Sequence, residues 1–102
     1  MFFSYGPEVS YQTFTSSGVV NDSAKPQAMY RVTVKSGATA GTLTFFDGTS
    51  SLGTYVYDIT GTINSTIIDN PGFGLVFPKG LYLSFDGNES HVTVWTRQVQ
   101  NI

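Results

Sequence analysis

Few residues in this chain are equipped to make or break bonds. His91 is the one histidine and cysteine is absent, which rules out a Cys-His dyad, a multi-histidine metal site within one chain, thiolate catalysis and disulfides. A Ser-His-Asp triad has its components. No serine stands in a Gly-x-Ser-x-Gly elbow, however, and His91 opens a strand just after a turn, where a surface position is the plain reading. The carboxylates are Glu8, Asp22, Asp47, Asp58, Asp69, Asp86 and Glu89, and a pair of them could act on a glycosidic bond. Yet Asp47, Asp69 and Asp86 each adjoin Gly or Asn, as turn formers do, and only Asp58 falls inside a strand pattern, where it can simply face water. Asp86, Asn88, Glu89 and His91 offer polar ligands around Gly87, but so short a turn cannot wrap the roughly six or more oxygens that calcium takes. Turn chemistry accounts for the segment without a metal. The chain is therefore expected to be no enzyme, with no catalytic, cofactor-binding or metal-binding residue.

The aromatic residues are the stronger lead. They make up 15% of the chain, and Tyr5, Tyr11, Tyr30, Tyr55, Tyr57, Tyr82 and Trp95 are amphipathic rings of the kind used at protein interfaces and as platforms for sugars. Tyr82 and Trp95 both alternate with apolar neighbours, which places them on the face opposite Leu81, Leu83, Val92 and Val94. If the last two strands pair through the Asp86 turn, the two rings lie side by side. Three readings stay open: the first segment of the chain covers them, a protein partner does, or a carbohydrate does. Phe2 and Phe3, with Tyr5 close by, form a second candidate contact. Exposed aromatics at a terminus are costly for a free monomer, so they either fold back onto the domain or plug a neighbouring subunit.

The elements that must position these rings are strands. Tyr30-Arg-Val-Thr-Val-Lys35, Thr42-Leu-Thr-Phe-Phe46, Thr54-Tyr-Val-Tyr-Asp-Ile59, Leu81-Tyr-Leu-Ser-Phe85 and His91-Val-Thr-Val-Trp-Thr-Arg97 alternate apolar and polar residues, and no segment sustains a helical period. Tyr11 to Thr15, Thr62 to Ile68 and Phe73 to Phe77 are further strand candidates. Period two puts Tyr30 on the face of Val32 and Val34, and sets Tyr55, Tyr57 and Ile59 against Val56. The strand from Thr54 is thus apolar on both sides, either central or presenting a contact surface. Small-residue loops at Ser36 to Gly41, Asp47-Gly48 to Gly53, Pro78 to Gly80 and Asp86 to Ser90 read as hairpin turns. Seven or eight short antiparallel strands at roughly 8 to 12 residue spacing predict an all-β domain, a β-sandwich or jelly roll, with a barrel as the alternative. Residues 1–28 read as an N-terminal arm with a first strand and loop, and residues 29–102 as the sandwich.

With 102 residues the chain holds one domain and a modest core, so association is a reasonable expectation. Charged residues are 12%, about half the usual share. Such a surface suits packing against other proteins, although extracellular β modules look similar. Net charge is −2, and Lys25, Arg31, Lys35, Lys79 and Arg97 are scattered singly along the chain, which argues against nucleic-acid binding. No stretch approaches the ~20 apolar residues of a membrane helix, and the N-terminus lacks the basic start and apolar run of a secretory signal. Synthesis and use without export are expected. Asn-x-Ser/Thr triplets at Asn21, Asn64 and Asn88 read as chance in a chain rich in Ser and Thr.

From Val32 to Lys35, through Ala40-Gly-Thr-Leu-Thr-Phe-Phe-Asp-Gly48, Gly72-Phe-Gly-Leu-Val-Phe77 and Gly80-Leu-Tyr-Leu-Ser-Phe85, to Val92-Thr-Val-Trp-Thr-Arg97, the chain resembles small β-sandwich virion proteins of tailed bacteriophages. The resemblance spans about residues 29–97, and the Phe2, Phe3 arm lies outside it. It implies a non-enzymatic structural role as a capsid decoration or cement subunit that contacts the major capsid protein or other virion proteins. It also implies a homo-oligomer, with a trimer as one arrangement, located in the virion. The alternative within the same resemblance is a tail, neck or fibre module that binds a host surface glycan or other virion proteins.

Overall fold

A computed structural model describes residues 9–22, 24–39, 41–70 and 74–99. Nine strands lie in these residues: β1 (Ser10–Phe14), β2 (Gly18–Val19), β3 (Gln27–Ser36), β4 (Thr42–Asp47), β5 (Thr54–Thr60), β6 (Thr66–Asp69), β7 (Leu75–Phe77), β8 (Leu81–Ser84) and β9 (Glu89–Gln98). The one helical piece among them is a 3-10 turn at Val20–Asp22. The all-β class follows the period-two patterning, and the count exceeds the expected seven or eight. The stretch read as a loop after β1 contributes β2 and the fully buried Val20. Residues 62–65, read as part of a strand, make the turn before β6, with Asn64 at φ 52°.

All strand pairs are antiparallel, in two sheets ordered β1-β9-β3-β6, with β7 also on β3, and β2-β8-β4-β5. The pairs β1 with β9, β2 with β8, β3 with β6 and β7, and β4 with β5 are the arms of one long folded ribbon. Rolling that ribbon adds the β9 to β3 and β8 to β4 pairs. This is the jelly-roll arrangement of a two-sheet sandwich, and no strand pair joins the two sheets among the described residues.

The loops after β3, β7 and β8 were expected to make hairpins or simple reversals, but each carries the chain from one sheet to the other. Among the described residues only β4 and β5 pair directly with a sequence neighbour, across the Asp47-Gly48 loop. A turn residue sets where the chain reverses. Whether the next strand pairs beside the last or crosses the core depends on where its apolar face can be buried.

The core lies between the sheets. Val32 pairs with Val94 and Val34 with Val92 in the first sheet, Phe45 pairs with Leu83 in the second, and all six are fully buried. Burial of each such side chain contributes about 1.5 to 3 kcal/mol before ordering costs.

The register shifts at three places, one of them between Lys35 and Ser36, and the other two move an aromatic residue off strict alternation. In β3 the register shifts between Met29 and Arg31, so Tyr30 leaves the face of Val32 and Val34, and Arg97 of the outer face sits over its ring at 5.9 Å. In β5 Phe45 pairs with Tyr57 and Phe46 with Tyr55, leaving Val56 as the extra residue. Tyr57 and Ile59 therefore stay inside while Tyr55 turns out, although strict alternation puts them together. An inserted residue moves everything beyond it to the other face.

Candidate functional site

The outer face of the second sheet carries a row of three rings. Phe46 on β4 stands between Tyr55 on β5 and Tyr82 on β8, its Cα partners, with ring centroids 6.4 and 6.3 Å away. Alternation points Phe46 outward because Phe45 fills the core, and the bulge at Val56 brings Tyr55 beside it. Tyr55 is 55% exposed, and Leu52, in the loop joining the strands that carry Phe46 and Tyr55, is 94% exposed. The next row is polar: Thr44 pairs with Asp58 on one side and Ser84 on the other. The Tyr55 hydroxyl donates to Asp58 Oδ2 at 2.9 Å, and that bond is the main reason its proton is held more tightly than in an ordinary tyrosine.

The outer face of the first sheet is built differently. One rung runs Tyr11 on β1, Trp95 on β9, Arg31 on β3, since Trp95 is the Cα partner of both others. The Tyr11 ring lies 6.2 Å from Trp95, the Arg31 guanidinium sits 5.5 Å over Trp95 from the other side, and Arg31 Nε donates to Asn70 Oδ1 at 3.2 Å. The next rung holds Thr13, Thr93 and Thr33, with the Thr13 and Thr93 hydroxyls 3.0 Å apart in a hydrogen bond. Lys35 and His91 pair on the rung beyond. Arg31, Lys35 and Arg97, dispersed in sequence, thus share one face, and none of its described outward strand positions is acidic.

These placements revise the sequence-derived site. Tyr82 and Trp95 do not lie side by side: β8 and β9 belong to opposite sheets, so the rings occupy opposite outer faces. The first segment does reach Trp95, through Tyr11, but Tyr11 remains 71% exposed. Phe2, Phe3 and Tyr5 lie outside the described residues. Phe46, Tyr55, Tyr11 and Arg31 were missed as partners of these rings, because register alone brings them together.

The acidic residues of the turns act on the backbone. Asp86 accepts the N–H of Thr42 at 2.7 Å and of Asn88 at 3.0 Å, and Asp47 accepts that of Lys79 at 2.7 Å. Burial works against the charged form of Asp86, yet these N–H donors hold its carboxyl below the usual range. Glu89, 8% exposed, accepts the Asp86 N–H at 3.0 Å through Oε1, and burial raises its carboxyl.

Fold and faces together define a jelly-roll domain with two chemically distinct aromatic surfaces. The chain matches no protein-family model, and no curated protein matches it in sequence.

Proposed function

We propose that this chain is a non-enzymatic structural protein of a phage virion, a capsid decoration or cement subunit that stabilises the shell through protein contacts. The observation that carries the reading is the Tyr55, Phe46, Tyr82 row with Leu52 at its margin. An exposed Tyr55 and Leu52 beside the half-buried Phe46 and Tyr82 match the composition of an interface centre, where a few aromatic residues provide most of the binding energy. The sequence resemblance supplies the virion setting. The jelly roll agrees by analogy, since capsid and lectin domains both use it, although fold alone assigns no function. Each docked copy would add buried apolar area at about 25 cal/mol per Å², less ordering costs, and repetition over a shell would multiply that gain.

The test is to add purified protein to shells of the encoding phage prepared without it, sediment them and count bound copies. Saturable binding that raises the temperature of shell disruption, and that falls with Tyr82→Ser or Leu52→Ser, supports the proposal. A chain that ignores shells overturns it. A second reading, a tail, neck or fibre module binding a host surface glycan, is favoured by one observation, the Tyr11, Trp95, Arg31 rung on the other face.

A further inference from the structure

We infer that the outer face of the first sheet binds an acidic polysaccharide, its carboxylates held by Arg31 and Lys35 and its sugar rings lying against Tyr11 and Trp95. The inference rests on the second reading above and deepens it by naming the class of glycan and the residues that would select it.

Charge complementarity points to an anion. The sequence disperses its few cations, yet the β3 and β9 register places Arg31, Lys35 and Arg97 on one face, alongside outward strand positions that carry no acid among the described residues. Arg31 is built for a carboxylate. Asn70 takes its Nε–H and the Trp95 ring lies 5.5 Å from its guanidinium carbon, so the terminal amino groups are left to form the fork that matches two carboxylate oxygens.

The rest of the face fits a sugar better than another anion. Tyr11, 71% exposed, offers an open ring against which the C–H face of a pyranose can pack. The threonine rung beside it supplies hydroxyls that both donate and accept, as sugar hydroxyls do. Lys35 lies four residues from Arg31 along the strand, about 13 Å at the usual rise. Cations that far apart suit a polymer with a carboxylate on some sugars, and are too sparse to follow a phosphate at every nucleotide. The polymer would cross the sheet from Tyr11 over Trp95 to Arg31 and continue past the threonines to Lys35.

The whole chain would be titrated with polygalacturonate, dextran, polyglutamate and single-stranded poly-dT at low and moderate salt. The fluorescence of Trp95, the sole tryptophan, and titration calorimetry would read binding. The expected result is saturable binding of polygalacturonate over the other three. It should weaken with salt and drop about tenfold in Arg31→Gln or Lys35→Gln. Both variants should keep the wild-type melting temperature to within a few degrees, and Lys35→Gln tests the idea independently should Arg31→Gln disturb Trp95. Preference for poly-dT or polyglutamate overturns the inference in favour of a nucleic acid or an acidic protein. Binding of dextran alone overturns it while the glycan reading survives, and binding of neither sugar overturns both. Polygalacturonate affinity unchanged in the two variants also overturns it.

Discussion

Phe45 and Tyr57 stack nearly parallel across β4 and β5, ring centroids 4.7 Å apart with 13° between their planes. The pair closes one side of the sandwich: Phe77 meets Phe45 at 6.4 Å, and the Tyr57 hydroxyl donates to Asp69 Oδ2 of the other sheet at 3.4 Å. Phe45→Ala should lower unfolding free energy by about 3 to 5 kcal/mol, the range for emptying a fully buried aromatic site. Urea denaturation measures it, and a loss below about 1 kcal/mol would contradict the placement of this ring in the core.

Tyr57 should also make the domain sensitive to alkali. Burial first, and then the Asp69 carboxylate, push its hydroxyl well above the ordinary tyrosine value of 10.0. Above that value the unfolded chain releases the proton while the folded chain keeps it. The contribution is therefore complete below the ordinary value and is lost as pH climbs toward the raised one. Urea midpoints compared between about pH 9 and 11.5 should fall more steeply for the wild type than for Tyr57→Phe. Parallel slopes would remove Tyr57 as the cause.

Ser36 and Gly61 occupy one tight spot at the end of the sandwich. The Ser36 hydroxyl is buried without a hydrogen-bond partner among the described residues, and a Cβ on Gly61 would collide with that oxygen but only touch the Ser36 Cβ. Gly61→Ala should cost about 1 to 3 kcal/mol. Ser36→Ala should be near neutral or stabilising, because it removes an unsatisfied polar atom. The double variant should recover most of the loss, giving a coupling of about 1 kcal/mol or more in a double-mutant cycle. Strict additivity would refute the contact.

Asp86 and Glu89 are shifted in opposite senses, Asp86 down and Glu89 up. Burial raises the Glu89 carboxyl above 4.5, and its Oε2 lacks a partner among the described residues. The unfolded chain loses this proton first as pH rises, so stability is full below the ordinary value and declines up to the raised one. Glu89→Gln should flatten that decline and gain up to about 1 kcal/mol at pH 7, part of the penalty being screened by nearby solvent. Asp86, held low, acts at the acid end, where its contribution disappears as pH falls below 3.8 toward its own value. Thermal melts from about pH 3 to 8 separate the two; a Glu89→Gln curve parallel to wild type above the ordinary carboxyl range would exclude Glu89 as the group behind the decline.

Strand positions were legible because alternation is local. Leu43, Phe45, Leu81, Leu83, Val92 and Val94 were readable as inward from their own segments, and all are fully buried. The outward placement of Tyr82 and Trp95 was readable for the same reason. Tyr30 and Tyr55 were not, because each bulge arises from register with a partner strand, Thr96 and Trp95 of β9 for the first and Phe45 and Phe46 of β4 for the second. The candidate faces were legible as single rings and illegible as rows. Tyr11 reaches Trp95 across more than 80 positions of sequence, and Phe46 meets Tyr82 across more than 30.

By itself the sequence determined an all-β domain with one apolar strand face, turns at Gly, Asp, Asn and Pro, and aromatic rings on the polar side of the strands. Each is set by residues within a few positions of one another: pleat periodicity, turn dihedrals and the cost of exposing apolar surface. The tertiary structure decided which strands pair, that Tyr82 and Trp95 stand on opposite faces, and that Arg31 and Lys35 join an aromatic rung. Those outcomes follow from rolling a long ribbon so that both inner faces are buried at once, a condition that no local segment contains.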